Sequence, residues 1–203
     1  KLGTLNLIVF TEDRMVTNNP LHISFSRVKA WRRCQQQHYY RFVQKIERKQ
    51  PSMPMFKGNI VHDMLEASLT GGDWKRVLKQ YEKQFHKLFR AERDQYGDLI
   101  GDMKRIREGY LRHWAKDKLK YVKVEQRYEV ELIKGATFVF KSDALVKDAQ
   151  NRLWVFERKT PKKFPDEDVR LSDLQTLLYY WAWSQLGKKV AGVIWDYVRS
   201  KAP

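Results

Sequence analysis

Residues 137–160 read TFVFKSDALVKDAQNRLWVFERKT, and this stretch decides the fold. Thr137-Phe138-Val139-Phe140 is an extended apolar run that leads into a second one, Asp143 to Val146. Asp148-Ala149-Gln150-Asn151 has the composition of a turn, because Asp and Asn side chains bond their own nearby backbone. Leu153-Trp154-Val155-Phe156 then reads as a buried strand ending at Glu157. The period of two along a strand puts Glu157 and Lys159 on one face. With Asp143 on the neighbouring strand, two carboxylates and an ammonium converge. A glutamate that follows four apolar residues is not placed for a surface ion pair.

Hydrolysis of a phosphodiester needs an activated water, a neutralised phosphate and a stabilised leaving oxygen, and a divalent metal held by carboxylates supplies all three. Mg²⁺ takes one or two carboxylates together with waters and substrate oxygens, which suits Asp143 and Glu157. Lys159 can orient or deprotonate the attacking water, or offset charge developing on the phosphate. The trio therefore points to metal-dependent cleavage of nucleic acid, with Mg²⁺ or Mn²⁺ as the cation.

Outward from this stretch, Val122-Lys123-Val124-Glu125 and Tyr128-Glu129-Val130-Glu131-Leu132 alternate as strands do. A helix is expected over about 168–186 through Leu171, Leu174, Leu178 and Trp181, and a last strand from Val190 to Val198. The N-terminal half is helical in pattern. Ser24 or Ser26 can cap a helix reaching about Val43, with Val28, Trp31 and Tyr39 among its apolar residues. Pro51 and Pro54 break the chain before a short helix over about 58–69, which Gly71-Gly72 ends. Two longer amphipathic segments follow, one through Trp74, Leu78, Tyr81, Phe85, Leu88 and Phe89, the other over about 99–120. Residues 5–10 have the pattern of a strand or arm. The expected fold is α/β, a restriction-endonuclease-like core with a central mixed sheet flanked by helices and an N-terminal helical subdomain. One domain over 1–203 is expected, about 24–120 mostly helical and about 121–203 the α/β catalytic core.

With 42% hydrophobic and 13% aromatic residues the chain can bury a core, so wholesale disorder is excluded. Forty Lys and Arg against 24 Asp and Glu leave a charge of +16, which suits a polyanion without choosing among DNA, RNA and an anionic membrane surface. No apolar run is long enough to span a membrane. One cysteine, Cys34, excludes an internal disulfide and fits a reducing, intracellular, cytoplasmic compartment. Arg76, Lys79, Lys83, Lys87 and Arg90 recur at steps of three and four, forming one cationic stripe that could touch DNA. The chain starts at Lys1 and stops just after a strand pattern, so it reads as a fragment at one or both ends, truncated at the C-terminus.

Four blocks in one order carry a resemblance: Gly58, His62, Leu65 and Glu66 as G-x-x-x-H-x-x-L-E; Asp143; Glu157 and Lys159 as E-x-K; and Gln175 and Tyr179 as Q-x-x-x-Y. The chain resembles the RecB-like branch of the PD-(D/E)XK nuclease superfamily, with its Cas4-like and phage-encoded exonucleases, from about Ile23 to Pro203. The ending Trp195-Asp196-Tyr197-Val198-Arg199-Ser200-Lys201 is similar to the family's strand after the Q-x-x-x-Y helix. The resemblance implies that His62, Asp143, Glu157 and the backbone carbonyl of Arg158 ligand the metal, and that Lys159 is catalytic. It implies that Gln175 and Tyr179 touch the DNA backbone or support Lys159. It further implies an exonuclease leaving 5′-phosphates, in a bacterial or phage-infected cell, in recombination, repair or DNA processing, with a helicase or recombinase partner.

Two positions depart from the family pattern. Lys141 stands where many relatives carry a small residue two before the Asp. Cys34 sits where some relatives place the first ligand of an iron–sulfur cluster, but one cysteine cannot hold a cluster, and the other three would have to lie in a longer chain. Two rival readings stand beside the deoxyribonuclease: a non-catalytic DNA-binding or assembly module on the same fold, and an RNA-processing nuclease.

Overall fold

The computed structural model describes residues 21–46 and 51–200. The expected strand or arm at 5–10 lies outside the described residues, as does Lys201.

Ser24 is the helix start that the sequence points to, and its hydroxyl accepts from the Arg27 N–H at 3.3 Å. The helix it opens does not run to Val43. Helix α1 (Phe25–Arg33) stops where Cys34 takes an extended conformation, φ −166° and ψ 114°. The Cys34 sulfur then caps a one-turn helix, α2 (Gln35–His38), which passes into a π-helical turn over Tyr39–Val43. Trp31 and Tyr39, counted among the apolar residues of that helix, are exposed.

Helix α3 (Met53–Leu69) begins five residues before the expected Gly58. Pro54 opens it rather than breaking the chain, because a proline in the first turn lacks only an N–H that has no partner there. Gly71, at φ +76°, makes the turn after α3. Helices α4 (Trp74–His86), α5 (Arg90–Asp94) and α6 (Leu99–His113) complete the helical layer. Leu88 and Phe89 fall beyond α4, and Phe89 is exposed. Helix α6 ends at His113, short of the expected 120, since the next strand starts at Lys120. Ile60, Val61, Met64, Leu65, Leu99 and Met103 form the dry centre of this layer.

The strands are β1 (Leu21–Ile23), β2 (Lys120–Val124), β3 (Arg127–Ile133), β4 (Ala136–Lys141), β5 (Ala144–Lys147), β6 (Leu153–Lys159) and β7 (Val190–Tyr197). They make two mixed sheets, ordered β1-β4-β3 and β2-β5-β6-β7, where a single central sheet was expected. The antiparallel pairs β3–β4 and β2–β5 are successive stretches of one ribbon, with Arg127 opposite Lys141 and Val124 opposite Ala144. Both chains of the ribbon turn at the same level, at Glu125-Gln126 and Ser142-Asp143, and so pass from one sheet to the other. Glu125 takes a left-handed φ of 53° there, and its N–H donates to the Asp143 carbonyl at 3.0 Å.

The helix expected over 168–186 is two, α7 (Glu167–Leu171) and α8 (Leu174–Gln185). Asp173 makes the break because its carboxylate caps α8 through the Thr176 N–H at 3.0 Å. The buried face of α8 is Gln175, Tyr179, Ala182 and Trp183, whereas Leu177 is exposed. This face packs with Phe138, Phe140, Leu145 and Val155 as a second core. The expected mixed α/β architecture is therefore present, with helices flanking the strands and a mostly helical N-terminal half.

Candidate active site

Asp143 stands at the ribbon corner and Glu157 near the end of β6, the next strand of the four-stranded sheet. Ala144 lies opposite Phe156, so the register brings the two acids side by side. The Asp143 N–H donates to Glu157 Oε1 at 3.3 Å, and the Arg158 N–H donates to Asp143 Oδ2 at 2.6 Å. The strand period sets Glu157 and Lys159 against α8, as expected. There Lys159 Nζ donates to Gln175 Oε1 at 2.9 Å, and Gln175 Nε2 donates to Glu157 Oε2 at 3.0 Å. Lys159 and Glu157 themselves are 3.9 Å apart, so the Gln175 amide links them. The ammonium also lies 5.0 Å from the centre of the Trp195 ring. The Tyr179 hydroxyl donates to the Lys141 carbonyl at 3.3 Å, which ties α8 to the end of β4.

His62 is brought in by a close approach. A Cβ at Gly58 would lie 2.9 Å from Thr160 Oγ1, so glycine lets α3 descend onto the end of β6 without moving that side chain. One turn later His62 Nδ1 stands 3.6 Å from Asp143 Oδ2. That separation is too long for a hydrogen bond. Nor is the contact an ion pair at neutral pH. Burial holds His62 below the ordinary imidazole range, against the opposing pull of Asp143, and leaves the ring neutral. His62, Glu66, Glu125 and Asp143 line one small pocket.

Glu157 is 2% exposed. Burial pushes its carboxyl well above the ordinary range, and the adjacent Asp143 carboxylate pushes it the same way. Two acids forced together in a site poor in water favour a cation between them. A neutral imidazole beside them is in the form that binds metal. The donor set thus fits a hard divalent ion, although among the described residues no three His, Cys, Asp or Glu side chains form a metal-holding group. Magnesium, which keeps several waters and takes substrate oxygens, suits so sparse a set.

The Arg158 side chain points away from these acids into a buried network that the sequence did not suggest. Its Nε donates to Asp196 Oδ2 at 2.7 Å and its Nη2 to the Tyr110 hydroxyl at 3.1 Å, and that hydroxyl donates to Asp196 Oδ2 at 2.9 Å. Arg158 is 4% and Asp196 7% exposed. Tyr110→Phe removes one member while leaving the ion pair. The melting temperature is expected to drop by about 2–4 °C, from a loss of about 1 kcal/mol.

The remaining sequence candidates lie elsewhere. Arg76, Lys79 and Lys83 on α4 and Lys87 just beyond it are exposed, and none of them lines the pocket of Asp143 or that of Lys159. Cys34 is an exposed free thiol that caps α2. Lys141, at the departing position, pairs with Glu125 across the ribbon corner. Glu125 was missed, and the signal for it was the break between two alternating runs at Glu125-Gln126.

Paired carboxylates, a lysine on the same strand face and a helix-borne glutamine joining them are an arrangement suited to phosphodiester hydrolysis. Comparison with protein families gives the same answer. The PD-(D/E)XK nuclease superfamily matches residues 22–201, and the chain belongs to it. Membership implies a metal-dependent nuclease with nucleic acid as its substrate class. No curated protein matches the chain. No helix among the described residues is long and apolar enough to cross a membrane.

Proposed function

We propose that the chain is a single-domain deoxyribonuclease of the RecB-like branch, an exonuclease that leaves 5′-phosphates. The observation that carries the reading is the hydrogen-bonded series Lys159–Gln175–Glu157, joined to Asp143 by its backbone N–H. In this reading His62, Asp143, Glu157 and the Arg158 carbonyl hold Mg²⁺ or Mn²⁺. The bound cation would supply Lewis acidity and an activated water. Gln175 holds the Lys159 ammonium at the mouth of the site, where it can meet the attacked phosphate. Tyr179 fixes α8 against the strand that leads to Asp143. The charge of +16 is the electrostatic attraction for the phosphate backbone.

The test is incubation with end-labelled single- and double-stranded DNA, and with matched RNA, in Mg²⁺, Mn²⁺ or EDTA. Asp143→Ala and Lys159→Ala are each expected to lower metal-dependent cleavage by roughly 10²–10³-fold, the scale of losing one group that stabilises the transition state. Salt-sensitive binding without cleavage in any metal would move the reading to a non-catalytic module. Preference for the ribo-substrate would move it to RNA processing.

A further inference from the structure

Between Leu21 and Ile46 there is no Asp or Glu, while Arg27, Lys29, Arg32, Arg33, Arg41 and Lys45 are all present. Only Ala30 and His38 of this stretch are buried. Three large aromatic rings stand open on it: Trp31 is 47% exposed, Tyr39 41% and Tyr40 47%. They are mounted on a fixed base. His38 lies edge-on to Trp31 at 5.1 Å, stacks on Phe42 at 5.4 Å and accepts a hydrogen bond from Arg27 Nε at 3.2 Å. The Arg41 guanidinium lies 5.2 Å from the centre of the Phe42 ring. The backbone leaves the α-helix at Cys34 and again in the π-helical turn, which carries Tyr39 and Tyr40. Such π turns recur at functional sites.

The same segment reaches the candidate active site. Ser24, Phe25, Ser26 and Lys29 line an open cavity of about 510 Å³, and Lys159 and Gln175 line it too. Among the described residues its lining contains no carboxylate. Volume and charge both suit a nucleotide with its phosphate.

We infer that the α1–π-turn segment is a stacking platform for unpaired bases of a single-stranded nucleic acid whose backbone continues through this cavity to Lys159. The inference rests on the nuclease reading above and adds the strand state of the substrate. Cations interleaved with open rings are the combination that holds single strands, because phosphates meet the cations and free base faces meet the rings. Duplex bases have no free faces to offer. A protein partner is disfavoured because interface cores are depleted in charge.

The test is binding in EDTA, where cleavage cannot occur, so that failure of the platform and failure of the nuclease reading stay distinguishable. Fluorescence anisotropy would compare an oligothymidylate of about 16 nucleotides with a blunt hairpin duplex. The double variant Trp31→Ala/Tyr40→Ala is expected to weaken oligothymidylate binding at least about tenfold and to leave the hairpin within about twofold. Tyr40→Phe, which keeps the ring, is expected to bind as the unaltered chain does. Photocrosslinking of the unaltered chain to a bromodeoxyuridine oligonucleotide is expected to mark Trp31, Tyr39 or Tyr40, and needs no variant to fold. Equal losses on single strand and duplex would overturn the inference in favour of phosphate contact alone. Unchanged oligothymidylate binding with no crosslink in the segment would also overturn it. So would a dimer that the double variant dissociates without loss of oligothymidylate binding, since the rings would then be a self-association surface.

Discussion

Glu157→Gln is expected to cut cleavage by orders of magnitude and, in the absence of metal, to make the protein more stable. Several kcal/mol of transition-state stabilisation from a bound cation corresponds to roughly 10²–10⁴ in rate, and that is the expected loss in activity. The stability gain comes from burial. Burial and the neighbouring Asp143 hold the Glu157 carboxyl well above the ordinary carboxylate range. As pH rises past that ordinary range the unfolded chain gives up the proton while the folded chain keeps it. The unfolded state then binds fewer protons, and stability falls with rising pH until the raised folded value is passed. Glutamine removes this cost. The melting temperature of the metal-free variant is expected to lie above that of the unaltered chain by about 2–4 °C for each kcal/mol relieved, and the difference is expected to be larger at pH 8 than at pH 4. Added Mn²⁺ is expected to stabilise the unaltered chain, more so at the higher pH, and the variant far less. His62 acts with the opposite sign. Burial holds it below the ordinary imidazole range, so its cost appears as pH falls through that range, when the unfolded chain takes up a proton that the folded chain refuses. Scanning calorimetry with EDTA or Mn²⁺ at several pH values checks all of these. A variant no more stable than the unaltered chain would show that Glu157 is not strained by its neighbours.

Asp196→Ala is expected to be the most destabilising single change near the site. It strips the partner from a guanidinium that is 4% exposed, and a buried charge left alone costs about 3–5 kcal/mol. At about 2–4 °C per kcal/mol for a chain of this size, the melting temperature should fall by roughly 6–20 °C. Asp196→Asn keeps an acceptor for Arg158 and is expected to lose less. Cleavage should fall with stability in both variants, because the Arg158 side chain anchors the residue whose N–H holds Asp143. Chemical denaturation gives the free energies. A loss under about 1 kcal/mol in Asp196→Ala would mean that water enters and solvates Arg158.

The chemistry on β6 was legible because the strand period is local: Glu157 and Lys159 share a face whatever the rest of the chain does. Ser24 as a cap and Gly71 as a turn were legible for the same reason. The Arg158–Asp196 pair was not, since 38 residues separate its members and their meeting depends on the parallel register of β6 and β7. The strand β1 is three residues long, too short to display any period. The split between α7 and α8 could have been read, because Asp173 followed by Thr176 is a capping signal, but the leucine pattern continued across it. The division into two sheets was hidden for a different reason. Alternation reports which residues share a face and says nothing of where a ribbon bends. The burial of Gln175 was not legible from the leucine pattern of α8, because a polar residue is buried there with both ends of its amide bonded.

The corner where the ribbon changes sheets also has a mechanical meaning. A point on the axis of a hinge moves least when either arm swings, and Asp143 occupies that axis, with Glu125 bonded to its carbonyl from the facing chain. The outer arm, β3 and β4 with β1 alongside, is braced against the inner one by the core that Phe138 and Phe140 share with Leu145 and Val155. The spacing between Asp143 and Glu157 stays nearly constant, because the inner arm carries both acids on paired strands. One ribbon thereby serves two purposes: its outer length builds the wall beside α8, and its inner length sets the spacing of the acids.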